Sequence, residues 1–203
     1  MHAAVFDVDG TLLQSADVDD ALYRNSVQSV LGHVQFRSTL ADYDFVTDSG
    51  ILSQILDDNS IPFKSECIAA IKSTFLETFR SYIHSHGAFP EIPGAKDLLK
   101  TLLASQCHCV AIATGGWREI ATLKLESAGF DLAQLPLATS DDSFDRTEIM
   151  RIALSKLGNG FESVSYYGDG PWDKHACDIL GWQFVAVGPL LSGIESYVGV
   201  RVA

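Results

Sequence analysis

The chain has 203 residues, of which 47% are hydrophobic and 20% charged, a balance that excludes wholesale disorder and suits one domain or one domain with a modest insertion. Its formal charge of -12 at pH 7, from 26 acidic against 14 basic residues, comes with no block of basic residues. Such a field disfavours a nucleic-acid polymer or an anionic membrane as partner, while a small anion can still enter a locally neutralised pocket.

The N-terminus enters a strand pattern directly. "AAVFDV" (3–8) is a short apolar run, and it closes on two aspartates spaced i, i+2, Asp7 and Asp9, followed by Gly10 and Thr11. The stretch 15–86 then reads as helices only, in "DVDDALYRNSVQSVLG", "SGILSQILDD" and "KSECIAAIKSTFLETFRSYIHS". Within it, "DYDFVTDSGI" (42–51) is a polar turn entering a helix with Ser49 or Asp48 as its cap, and is either a plain exposed loop or a turn that reaches a site. "HGAFPEIPGA" (86–95), rich in Gly and Pro, is the return linker.

From there strand and helix patterns alternate. "CVAIAT" (109–114), "SVSYYGD" (163–169) and "QFVAVG" (183–188) read as buried parallel strands, each ending near Gly or Asp. The helical patterns between them are 94–106, 117–129, 146–158 and 173–181. The expected fold is α/β, a doubly wound parallel sheet with right-handed crossovers. The expected division is a core of 1–14 plus 87–203 and an inserted all-helical domain of 15–86.

No leader pattern and no apolar run of about 20 residues stands out, and the four cysteines, Cys67, Cys107, Cys109 and Cys177, lack paired zinc spacing. They read as free thiols in a reducing cytoplasm. The histidines His84, His86, His108 and His175 receive no role.

Ligands of open α/β sheets bind outside the carboxyl ends of the strands. Those ends bring Asp7 and Asp9, Thr114 with Gly115 and Gly116, and Asp169 with Asp173 toward one place. Residues i and i+2 of an extended segment point the same way, so Asp7 and Asp9 face one ligand if the strand persists to Asp9. Carboxylates so close disfavour joint ionisation unless a cation lies between them, and oxygen-only ligands suit Mg²⁺. "ATGG" (113–116), before a helix, is the place for an anion, held by backbone N–H groups. Metal, anion site and two non-equivalent carboxylates are the equipment for phosphoryl transfer to a carboxylate. Trp117 and Arg118 either face the substrate or simply start a helix.

These residues resemble the haloacid dehalogenase superfamily. "DVDGTLL" (7–13) is similar to its first motif, the Thr114 strand end to its second, and "GDGPWD" (168–173) to its fourth. The helical stretch sits where the superfamily inserts a helical cap, here of the C1 type found in phosphoglycolate phosphatases and β-phosphoglucomutases. The resemblance implies a Rossmann-like core and a Mg²⁺-dependent phosphatase, a phosphoric monoester hydrolase acting on a small phosphorylated metabolite. It implies that Asp7 attacks phosphorus to form an aspartyl phosphate and that Asp9 is the general acid and base. Asp7, Asp169 and the backbone carbonyl of Asp9 would hold the metal, Asp173 would support it, and Thr114 with the Gly115 amide would hold the phosphoryl group.

One position departs from the superfamily pattern. Where a lysine is usual in the third motif, this chain reads "DDSFDRTEIM" (141–150), and the best placed cation is Arg146; Lys156 lies at the wrong end of its helix. Arginine bridges carboxylate and phosphate by a planar fork of different geometry. The other readings are a crippled site, or Arg146 as a helix-end surface residue. Asp9 argues against a dehalogenase or a phosphonatase. A sugar-phosphate mutase and a catalytically silent member that binds a phospho-ligand or a partner are the alternatives, and neither substrate nor oligomeric state is legible.

Overall fold

The computed structural model describes residues 1–200. The strand patterns become β1 (His2–Phe6), β2 (His108–Ala113), β3 (Leu137–Ala138), β4 (Ser163–Gly168) and β5 (Gln183–Ala186), one parallel sheet in the order β3-β2-β1-β4-β5. β1 is central, flanked by β2 and β4 with Val5 opposite Ala111 and Tyr166. The chain winds one way from β1 through β2 to β3 and then returns to the other side of β1 for β4 and β5. That reversal opens a crevice at the carboxyl end of β1. β3 has only two residues and was absent from the sequence reading, since a strand that short carries no periodicity to detect.

Between β1 and the second strand lie α1 (Ala16–Leu31), a short 3₁₀ turn at Leu40–Asp42, α2 (Asp48–Asp58), α3 (Ser65–His86) and α4 (Ala95–Ala104). The later helices are α5 (Arg118–Ser127), α6 (Arg146–Leu157) and α7 (Pro171–Leu180). Local chemistry sets several of their starts. Thr47 caps α2 by accepting the Gly50 N–H at 3.2 Å, so neither Ser49 nor Asp48 is the cap; Asp48 is the first helical residue. Asp145 caps α6 by accepting from Thr147 at 2.7 Å, and Pro171 opens α7 with its pre-set φ.

The alternation of side chains along β1 builds two apolar layers. Val5 packs on one face with Ile149, Met150, Ala153 and Cys177 of α6 and α7. Ala4 and Phe6 belong to the other layer, which continues through Leu99 and Leu125 into the inserted helices at Tyr23, Ile55 and Phe75. The cysteines are all free, and of the four only Cys177 is buried. Among the described residues no helix is long and apolar enough to cross a membrane. The expected core segment runs to 203, and 201–203 lie outside the described residues.

Phe75 is the hinge of the second layer. Its ring lies 5.5 Å from Tyr23, 4.9 Å from Phe79 and 5.8 Å from Trp117, joining α1, α3 and the start of α5. Phe75→Ala should lower the unfolding free energy by about 3–5 kcal/mol, read from urea denaturation. A loss under about 1 kcal/mol would mean that the helices collapse around the gap or pack independently of the sheet.

Candidate active site

The carboxyl end of β1 supplies the first carboxylate. Asp7 keeps the ladder going by one bond, its N–H donating to the Tyr167 carbonyl at 2.9 Å. The backbone then turns at Val8, whose carbonyl accepts from Thr11, Leu12 and Leu13 at 3.2, 2.8 and 3.0 Å. The extended geometry therefore stops before Asp9, contrary to the condition set by the i, i+2 spacing. Asp7 and Asp9 still line one cavity, by different routes. Asp7 is buried and its Oδ1 has no hydrogen-bond partner.

β4 and α7 supply the next two. An oxygen from each of Asp7, Asp169 and Asp173 lies within 4.8 Å of the others. Asp173 is fixed from both sides: its Oδ2 accepts from Gly170 N–H at 3.0 Å and its Oδ1 from Arg146 Nη1 at 2.8 Å. Missing side chains make the room. Gly10 sits at φ 71°, in the left-handed region, and a Cβ there would overlap the Asp169 carboxylate; a Cβ on Gly168 would come within 2.6 Å of Asp173 Oδ2. Burial, then the Asp173 charge, raises the Asp169 carboxyl to about 7. Burial and Asp173 likewise push Asp7 well up, against the opposing pull of Arg146. A buried group of hard oxygens that resists ionisation in this way, with one oxygen unpaired, fits a divalent cation such as Mg²⁺.

Arg146 is not a surface residue. It starts α6 with 11% of its side chain exposed, its Nη1 lies 3.7 Å from Asp7 Oδ1, and its Nη2 donates to the Val46 carbonyl at 3.0 Å. Gly115 permits this approach, since a Cβ there would meet Nη2 at 2.5 Å. Burial works against the guanidinium charge, but Asp173 and the other neighbours outweigh it and hold the group charged.

The anion site expected at 114–116 follows β2. Thr114 is buried, and the later part of the polar turn, 46–51, closes over the adjoining backbone, while Asp42, Asp44 and Phe45 are exposed. Asp48 N–H donates to the Gly115 carbonyl at 2.8 Å, and Asp48 Oδ2 accepts the Trp117 N–H at 2.8 Å. Trp117 faces the inserted helices, not the cavity, and its Nε1 donates to Ser49 Oγ at 2.7 Å. Arg118 is the first residue of α5, held by Asp142 at 2.5 Å. Asp7, Asp9, Thr114, Gly115, Arg146 and Asp169 thus line a single cavity of about 110 Å³, with Asp173 behind Arg146.

The sequence reading missed Lys124. This residue of α5 is fully buried and donates to both oxygens of Asp9, at 2.6 and 2.7 Å, and to Asp19 Oδ1 of α1 at 2.6 Å. Ser15 Oγ donates to Asp9 Oδ1 at 2.5 Å as well. Burial disfavours the ammonium, but Asp19 and Asp9 more than reverse this and hold it charged; burial raises Asp19 to about 6, with Lys124 opposing. A lysine on an amphipathic helix reads as solvent-facing, so periodicity alone gave no sign of it.

A family model for the haloacid dehalogenase-like hydrolases matches residues 1–177, and the chain belongs to that family. A hydrolase from Pseudomonas syringae has the same fold, with TM-score 0.72, 21% identity and coverage of 92% of this chain and 84% of that one. CbbY from Rhodobacter sphaeroides, solved in complex with phosphate, gives TM-score 0.71 at 19% identity over 96% and 87% of the two chains. β-Phosphoglucomutase from Clostridium difficile gives 0.70 at 16% identity over 92% and 84%. At such identities the likeness is one of fold. No curated protein sequence matches the chain.

Lys124→Met should destabilise the protein by about 3–5 kcal/mol, because Asp9 and Asp19 lose their shared cation. Adding Asp19→Asn should restore part of the loss, as a double-mutant cycle in urea would show. Strict additivity of the two substitutions would mean that the pair is not coupled.

Proposed function

We propose that this hydrolase is a Mg²⁺-dependent phosphatase that cleaves a small phosphomonoester through an aspartyl phosphate on Asp7. The observation that carries the reading is the Asp7 carboxylate: buried at the strand end, with Oδ1 unpaired and Arg146 3.7 Å away. An oxygen free of hydrogen bonds in a dry site is a better nucleophile than a solvated one. Held by the carboxylates of Asp7 and Asp169 and the backbone carbonyl of Asp9, with Asp173 as support, Mg²⁺ would supply positive charge to the phosphoryl oxygens.

This chain's own residues do the remainder. An Asp7 oxygen bonds to phosphorus as the ester oxygen leaves, and that oxygen takes a proton from Asp9. Asp9 then takes a proton from the water that attacks phosphorus, releasing phosphate and regenerating Asp7. Thr114 and the Gly115 amide hold phosphoryl oxygens, and Arg146 balances charge in the place the family usually gives to lysine. The inserted helices, taken as a cap of 15–86 over a core of 1–14 and 87–203, exclude water by seating Val46 and Asp48 on Arg146 and Gly115. The engagement of Arg146 with both Asp7 and Asp173 weighs against a silent binding protein. The phosphate complex of the structurally similar CbbY supports an ester or phosphate in this crevice.

Phosphate release from a panel of small esters, with Mg²⁺ and with chelator, tests the reading. Asp7→Asn should lower turnover by roughly three orders of magnitude or more with the fold retained. Arg146→Ala should cost on the order of a hundredfold in kcat, and Arg146→Lys should recover most of it. Full metal-dependent activity in Asp7→Asn would overturn the mechanism.

A further inference from the structure

The cavity is one-sided in charge. Its sheet side carries Asp7, Asp9 and Asp169, and its helical side adds Asp19, Asp20 and Asp48. Arg146 is the one cation among its described lining residues, and it lies on the sheet side, 2.8 Å from Asp173. The cations nearest the helical side are each already engaged: Lys124 with Asp9 and Asp19, Arg24 with Asp20 at 2.8 Å, and Lys72 with Asp141. Asp7, buried and with Oδ1 unpartnered, lines the same space and fixes where the phosphoryl end must lie. Whatever is attached to the phosphate therefore meets the helical wall.

We infer that the alcohol portion of the substrate is small, carries hydrogen-bond donors in the form of hydroxyl or ammonium groups, and has no second anionic group. The inference rests on the phosphomonoester reading above and extends it to the substrate class. Each carboxylate offers up to about four acceptor positions. Asp48 Oδ2 accepts from Trp117 and Asp19 Oδ1 from Lys124, so acceptors are left over while no cation is. A hydroxyl or an ammonium satisfies them. A carboxylate or second phosphate would meet these carboxylates with no guanidinium or ammonium donor of its own, since Lys124 and Arg24 offset Asp19 and Asp20 only by spending their donors on them. Phosphoglycolate and sugar bisphosphates are disfavoured on this ground, and glycerol phosphate, monophosphates of small polyols and ethanolamine phosphate are favoured.

The test uses matched pairs that differ only at the far end. Asp7→Asn protein with Mg²⁺ is titrated calorimetrically with glycerol phosphate against phosphoglycerate, and with ethanolamine phosphate against phosphoglycolate. The uncharged or cationic member should bind roughly tenfold or more tightly in at least one pair, with phosphoglycerate and phosphoglycolate weakest. The pair showing the larger ratio tells whether hydroxyl or ammonium is the donor. Asp20→Asn in the same background should narrow the ratio severalfold; the side chain is 42% exposed, so the fold tolerates the change. Equal or tighter binding of the carboxylate-bearing esters, or no binding of any of the four, overturns the inference. Wild-type turnover of the same four esters separates the two readings, because discrimination in binding without turnover refutes the phosphatase and leaves the substrate class standing.

Discussion

The structure depends on a concentration of buried negative charge at the carboxyl end of β1 and on the two cations that make it tolerable. Asp7, Asp169 and Asp173 converge within 4.8 Å, and isolated carboxylates so placed would take up protons or force the strand ends apart. Arg146 prevents the latter by bonding Asp173 at 2.8 Å while standing 3.7 Å from Asp7. Lys124 does the same one shell away, joining Asp9 to Asp19 at 2.6 Å each. Neither cation is a surface ornament, since Lys124 is fully buried and Arg146 nearly so.

Both cations also reach across to the inserted helices. Arg146 donates to the Val46 carbonyl, and Lys124 holds Asp19 of α1. Asp48 then binds the backbone on either side of Gly116, and Trp117 packs against Tyr23 and Phe75. The groups that balance the site are therefore the groups that seat the helices over it. A change in charge at the strand ends is bound to alter the closure, because the same guanidinium and the same ammonium serve both.

Much of this was legible in the sequence. Four strands could be read from apolar runs ended by Gly or Asp, and the helical insertion from a break in the alternation. Asp7, Asp9, Thr114, Gly115 and Asp169 stood out because residues at strand ends face the crevice, and Arg146 because it was the cation nearest the place the resemblance gives to a lysine; the cavity gathers all six. Asp173 lies beside Asp7 and Asp169, and as the third residue of a helix it braces them from behind. What escaped was what depends on contacts distant in sequence. Lys124 sits 115 residues from Asp9 and is indistinguishable by period from a solvated lysine. β3 owes its existence to pairing with Ile112 and Ala113, not to its own two residues. The turn 42–51 offered no sign that Asp48 would dock on the Trp117 amide, 69 positions away.

The same charge balance constrains the order of events under the proposed chemistry. Three carboxylates against one guanidinium leave the strand ends anionic at the spot where a phosphate dianion must arrive, and the Asp48 carboxylate already takes the Trp117 amide next to the Thr114 turn. An ester approaching that site alone meets repulsion from Asp7 and Asp169, which a divalent cation among those oxygens reverses. Metal and ester therefore strengthen one another's binding, and by linkage each does so by the same factor. Burial and the Asp173 charge raise both Asp7 and Asp169, so a cation bound among these oxygens also works against their uptake of protons.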